Sequence, residues 1–271
     1  MLTVIIPTLQ KNKDILNALI SSLVTDDVIS EILLIDNSGL GYETSESKIR
    51  VITPKQNIFV NPAWNLGVAN AKNEYFALFN DDLLVCSNFC SKVIELIKST
   101  SDFGILGMAE ASVINTQYPC GAPEKTNFKL SVDNGERPNN WGCIIFGCKK
   151  NWSPIPENIK ISCGDDFIRY MERKQNRQVY MLSNAVVHHL GSLSCSNPKL
   201  QNILKNDMIL YAQIDASFKK TIYYKWATQT KLKKILKKIT DFFYKKKITK
   251  SGNLSVKICK IPLPVSFFKK G

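Results

Sequence analysis

Asn80, Asp81 and Asp82 close an apolar run from Tyr75 to Phe79. Such a run is the mark of a strand covered on both faces. Carboxylates at its end are costly unless they hold something, and the crevice beyond strand ends is where open α/β sheets take ligands. Hard oxygen donors there suit a hard cation bridging phosphates. A second acidic pair, Asp165 and Asp166, opens a helical pattern that runs to Lys174. A carboxylate there can take a proton from an attacking hydroxyl. It can equally be a helix N-terminal acid favoured by the dipole. The chain's only histidines, His188 and His189, are adjacent at the end of an apolar stretch.

The elements that must position these groups are legible from periodicity. Leu2 to Pro7, Glu31 to Ile35 and Ile49 to Ile52 read as strands. Lys13 to Leu23 fits a helix with Ile15, Leu16, Leu19, Ile20 and Leu23 on one face. A further helix carries Asn65 and is thinned for close packing by Gly67, Ala69 and Ala71. Cys90 to Lys98 is another helix, and Gln178 to Val187 reads as one strand. Strands alternating with helices predict an α/β fold with a parallel, doubly wound sheet. Between Ile105 and Ile161 the pattern breaks into short strands and turn-rich loops, expected to lie over that sheet.

The net charge of +13 on 271 residues is unevenly placed. Residues 216–271 hold 16 lysines and one acid, Asp241, whereas the rest of the chain is close to neutral. From Lys231 to Lys247, Leu232, Ile235, Leu236, Ile239, Phe242 and Phe243 form one helical stripe with lysines opposite, and Tyr223, Tyr224 and Trp226 precede it. That pattern predicts an amphipathic helix lying on an anionic membrane surface, with Trp226 at headgroup level. The alternative is a helix docked on its own domain with a solvated lysine face. No nucleic-acid module accompanies the charge, so nucleic acid is not an expected partner. The eight cysteines form no CxxC pair and read as thiols in a reducing compartment. MLTVIIPTLQ reads as a strand and not a signal peptide, and no run reaches the ~18 apolar residues of a membrane span. The expected location is cytoplasmic, peripheral on the inner face of the membrane.

Seven blocks then coincide in order: TVIIPT, LLIDNSG, NLGVANAKN, FNDD, GCIIFGCKK, CGDDFIRYMERK and VVHHLGSLS. Over residues 2–195 they resemble the family-2-type inverting glycosyltransferases of the GT-A fold, bacterial enzymes that build lipopolysaccharide, capsule and related glycans. The resemblance implies transfer of one sugar from a nucleotide-sugar donor, UDP-linked, to a glycan or lipid-linked glycan acceptor. It implies a transferase domain over 1–216, with a nucleotide-binding half over 1–104 and an acceptor-side half over 105–216, followed by a membrane-associating tail over 217–271.

The resemblance also assigns roles. Pro7, Thr8 and Asp36 would hold the nucleotide, with Asp36 accepting from an imide N–H of the base. Asn65 and Lys72 would bind the donor, although Lys72 stands where the family has Arg and lacks its bidentate fork. Asn80 replaces the first acid of the family's DxD motif; Asp81 would meet ribose or metal, and Asp82 the metal, Mg²⁺ or Mn²⁺. Asp165 takes the family's Glu place and Asp166 the base, with either able to serve. His189 or His188 would complete the metal site or touch the diphosphate. Lys149 and Lys150 stand where the family often carries two Arg, facing phosphate, lipid headgroups or solvent. Trp141 and Trp152 would stack on an acceptor sugar or pack in the core. Two rivals remain. A sugar-nucleotidyltransferase would want a glycine-rich loop after the first strand, and PTLQKNKD has no glycine. A catalytically degenerate, membrane-associated assembly partner has Asn80 as its sole support.

Overall fold

The structure, a computed structural model, describes residues 1–116, 127–135, 139–190 and 197–229. In chain order its strands and α-helices are β1 (Leu2–Thr8), α1 (Lys13–Val24), β2 (Ile29–Asp36), β3 (Ile49–Ile52), α2 (Val60–Asn70), β4 (Tyr75–Phe79), β5 (Leu83–Val85), α3 (Phe89–Lys98), β6 (Phe103–Met108), β7 (Val113–Asn115), β8 (Lys129–Val132), β9 (Ile144–Cys148), α4 (Gly164–Lys174), β10 (Gln178–Ser183), β11 (Val187–His189) and α5 (Gln201–Ile214). Eight strands form one sheet in the order β3-β2-β1-β4-β9-β6-β10-β8, and β5-β11-β7 form a small second sheet.

The half β3-β2-β1-β4 is parallel, as the strand–helix alternation predicts. The other half is mixed. β9 runs antiparallel to both β4 and β6, and β8 antiparallel to β10. A parallel neighbour needs a long crossover, usually a helix, and residues 109–143 supply only short strands and 3₁₀ turns among those described. The stretch Gln178 to Val187 is not one strand. It breaks at Asn184, which takes a left-handed backbone (φ 56°), and β11 then leaves the main sheet to pair with β5 and β7.

The sheet divides the core in two. Val4 and Ile6 of β1 face α1 and α3, whereas Ile5 faces α2, α4 and α5. This alternation is the pleat's period of two. α2 packs close because Gly67 lies over β1, where a Cβ would collide with the Ile5 side chain.

α5 adds a polar tie. Asp207, fully buried, accepts from the backbone N–H groups of Lys160 (3.0 Å), Ile161 (2.7 Å) and Ser162 (2.9 Å). These amides belong to the loop leading into α4, so α5 fixes where α4 begins. The compact unit continues past α5 to Ala227. Phe218 packs edge-on against Tyr211 at 4.8 Å. The stripe Leu232, Ile235, Leu236, Ile239, Phe242 and Phe243 lies outside the described residues. Substituting Asp207 by Ala strands three buried amides and is expected to cost about 2–4 kcal/mol in urea unfolding, with proteolysis appearing first at residues 159–163.

Candidate active site

Because β1, β2 and β4 are parallel, Thr8, Asp36 and Asn80 arrive at the same sheet edge. Antiparallel β9 begins at that edge, and the Asn80 amide donates to the Cys143 carbonyl at 3.0 Å. A cleft of about 580 Å³ opens there, lined by Pro7, Thr8, Asn80, Asp81, Asp82, Gly142, Cys143, Asp165 and His189 among others. Asp165 reaches it because residue 142 is glycine. A Cβ at Gly142 would stand 2.7 Å from the Asp165 Cβ, too close to be accommodated.

The acids of the cleft are held differently. Thr8 Oγ1 donates to Asp81 Oδ2 at 2.6 Å and itself accepts from the Gln10 amide at 2.8 Å. Burial raises the Asp81 pKa and the neighbouring Asp82 charge adds to it, against the opposing bond from Thr8. Asp82 Oδ1 lies 3.2 Å from His189 Nε2. The His189 Nδ1 is buried with no protein partner, and Nε2 is the nitrogen turned to Asp82.

A carboxylate oxygen and an imidazole nitrogen at that separation suit two adjacent ligands on one Mg²⁺ or Mn²⁺, for which about 3 Å is the expected spacing. Asp82 and His189 therefore fit the ion. No cluster of three ligating side chains exists among the described residues, so a ligand's own oxygens would have to complete the shell. Cys143, one of the cysteines bordering this site, is held as the thiol. Burial pushes the Cys143 thiol far up, and the Asp82 and Asp165 charges push it further.

Several sequence-predicted site residues stay out of the cleft. Asp36 is fully buried and turned into its own loop, accepting from the amide and hydroxyl of Ser38 and from the Gly41 amide. Burial alone would raise its pKa; bonds from Ser38, Gln10 and Gly41 outweigh that and hold it below the usual carboxylate value. Asn65 clamps Ile155, donating to its carbonyl at 2.7 Å and accepting from its amide at 2.9 Å.

Lys72 follows α2 and so lies at the opposite edge, where its Nζ is 3.9 Å from Glu31. Lys149 and Lys150 follow antiparallel β9 to that same far edge; Lys149 Nζ donates to the Ala71 carbonyl. Asp166 is buried behind the cleft, 3.9 Å from the Arg169 guanidinium, and its backbone carbonyl accepts from Tyr211. His188 points to the other face of β11 from His189. Trp141 is buried beneath Gly107 and the Arg169 guanidinium as a core residue, whereas Trp152 is partly buried and packs edge-on against Phe76; neither lines the cleft.

Other cleft residues were not foreseen from sequence. Lys11, Asn37, Asn57, Phe59, Trp64, Asn140, Ser162, Cys163 and Lys199 also line it. Phe59 is the most constrained, with φ 67° and ψ 178°, a conformation nearly confined to glycine. It persists because its amide donates to Asn57 Oδ1 at 2.8 Å and its carbonyl accepts from the Ala63 amide at 3.2 Å. Cys163 is also left-handed, with φ 61°. Nothing in the residue types signals either bend, since both occupy positions where glycine would be the expected choice.

The sequence profile of glycosyl transferase family 2 matches residues 3–148. No curated protein sequence matches the chain. Among solved structures, S. aureus TarS 1–349 in complex with UDP is similar at TM-score 0.51 and 14% identity, covering 78% of this chain and 65% of that one. GalNAc-T7 with UDP, GalNAc and Mn²⁺ is similar at TM-score 0.53 and 15% identity, covering 76% and 47%. The longer TarS structure has the same TM-score, 0.51, and the chain spans only 39% of it. These likenesses establish the GT-A fold.

Two stability measurements test the local geometry. At Phe59 the usual order of Ala over Gly is expected to reverse, with Phe59→Gly more stable than Phe59→Ala by about 1–2 kcal/mol, because only glycine relieves the backbone. Asp36, with its folded pKa lowered, stabilises the protein above its ordinary pKa of 3.8, and that stabilisation disappears as pH falls through the folded value. The stability gap between wild type and Asp36→Asn is therefore expected to shrink on acidification from pH 7 towards pH 3.

Proposed function

Because the chain belongs to glycosyl transferase family 2, we propose that it transfers a single sugar from a nucleotide-sugar donor, UDP-linked, to a glycan or lipid-linked glycan acceptor of the bacterial surface. One observation carries this reading. Thr8, Asp81, Asp82, Asp165 and His189 come from four separate parts of the fold and meet in one cleft at the carboxyl ends of parallel strands. Support for UDP comes from the structural neighbours, since TarS is described in complex with UDP and GalNAc-T7 with UDP.

In this reading Asp165 is the general base. It lines the cleft, whereas Asp166 lies buried beside Arg169. Asp165 takes the proton of an acceptor hydroxyl as that oxygen forms a bond to the anomeric carbon. The bond from that carbon to the diphosphate breaks, and the nucleoside diphosphate leaves with the electron pair. Single displacement inverts the anomeric centre. Asp82 and His189 would hold Mg²⁺ or Mn²⁺, which when bound neutralises charge on the departing diphosphate. Thr8 keeps Asp81 oriented at the nucleotide side of the cleft. Asp166, in contact with Arg169, positions the first turn of α4. The lysine-rich tail over 217–271 would bring the enzyme to an anionic membrane surface at the cytoplasmic face.

The rival reading, a degenerate assembly partner, has Asn80 in its favour. Paired variants separate the two. Asp165→Asn is expected to lower sugar transfer at least about a hundredfold with nucleotide affinity and melting temperature unchanged. Asp166→Asn should lower stability and cost transfer less. The reverse order of losses would place the base at Asp166, and intact biological function in both variants would favour the assembly partner.

A further inference from the structure

A departing diphosphate gains negative charge, so cations must stand where that charge develops. Lys72, Lys149 and Lys150, the lysines that match the family's cationic positions, lie at the far edge of the sheet. The cleft itself is acidic. Asp81, Asp82 and Asp165 line it, and a divalent ion on Asp82 and His189 cannot by itself balance three carboxylates and a diphosphate. Among the described residues the cleft has two lysines, Lys11 and Lys199. Neither forms an ion pair with a described acid.

Both are carried on anchored backbone. Lys11 lies in the loop from β1 to α1, between two residues whose side chains are committed to holding the chain. Gln10, left-handed at φ 52°, donates from its side chain to the Gly41 carbonyl at 2.8 Å and from its amide to Thr8 Oγ1 at 2.8 Å. Asn12 caps α1, its Oδ1 accepting from the Ile15 amide at 3.3 Å. Lys11 therefore shares a braced loop with Thr8, the residue that steadies Asp81. Lys199 comes from another part of the fold. Its amide donates to Asn197 Oδ1 at 3.0 Å, in the 3₁₀ turn Pro198–Leu200 that leads into α5. α5 is fixed in turn by Asp207, which holds the amides of Ile161 and Ser162 on the wall of the same cleft.

An ammonium on a flexible stem is a point charge suited to phosphate oxygens. We infer that Lys11 and Lys199 bind the diphosphate of the donor and stay on it as the bond to the anomeric carbon breaks. The electron pair of that bond goes to a diphosphate oxygen, and the two ammonium groups, protonated throughout, offset the charge it brings. This rests on the transferase reading. It gives two lysines that no motif singles out the work that Lys72, Lys149 and Lys150 are placed too far away to do.

The experiment is titration of the full chain, with Mn²⁺ present, by UDP and by uridine, which lacks the diphosphate. The variants are Lys11→Met and Lys199→Met, which remove the charge, Lys11→Arg and Lys199→Arg, which keep it, and Lys72→Met as a control at the far edge. All three lysines are exposed, so every variant should melt like wild type. Each of the Lys11→Met and Lys199→Met variants is expected to weaken UDP binding about tenfold or more and to leave uridine binding unchanged. The arginine variants should keep most of the UDP affinity, and Lys72→Met should change neither ligand. UDP affinity unchanged in both Lys11→Met and Lys199→Met overturns the inference and leaves the transferase reading standing. Equal losses for UDP and uridine place the lysines at the base or ribose and also overturn it. A folded wild type that binds no UDP overturns the transferase reading and the inference with it.

Discussion

β9, wedged antiparallel between β4 and β6, is the join on which the rest of the site depends. All five of its residues are buried. Its register sets Ile144 against Phe79 and Cys148 against Tyr75. That register seats Cys143 beside Asn80 and places Gly142 under the start of α4. A slip of one residue would turn every side chain of β9 to the wrong face of a sheet buried on both sides. It would also separate Asp165 from the acids at the end of β4. Packing of an apolar strand thus fixes where Asp165 stands relative to the acids that follow β4.

Carboxylates in this protein divide by what they accept from. Asp36, Asp207 and Asp26 are saturated by backbone amides and hydroxyls and serve as braces. Asp81, Asp82 and Asp165 face the cleft, with Asp81 steadied by Thr8 and Asp82 by His189. Burial, with the Asp82 charge beside it, raises the Asp81 pKa against the bonds from Thr8 and the Leu9 amide. The strained backbone at Phe59 and Cys163 sits on the same cleft, so both unfavourable features gather where a ligand would be held.

Much of this was legible in the residues. Apolar runs located β1, β2 and β4, and the acids after Phe79 located the edge where the cleft lies. The resemblance put His189 or His188 at the metal or the diphosphate, and it is His189 that lies 3.2 Å from Asp82. Which donors each polar side chain would meet was not legible. Asp36 looked like a base-binding acid because residue types alone do not show that its own loop, through Ser38 and Gly41, donates to it. Lys72 and Asn65 matched a motif, but Lys72 follows the end of α2 at the far edge and Asn65, midway along α2, is taken up by Ile155. The apolar stretch from Gln178 to Val187 hid a break, because a left-handed Asn184 leaves no mark on hydropathy. Antiparallel β9 could not be distinguished from a parallel strand, since both are uniformly apolar when buried on two faces.

The central claim is that the cleft between Thr8, Asp82 and Asp165 holds a nucleoside diphosphate sugar. Calorimetric titration of UDP and UDP-N-acetylglucosamine into the full chain, with Mn²⁺ and again with EDTA, tests it most directly. The account predicts saturable, metal-dependent binding that is lost in Asp82→Asn and kept in Lys72→Ala. Binding that survives Asp82→Asn and is lost in Lys72→Ala, or no binding by the folded wild type, would contradict it.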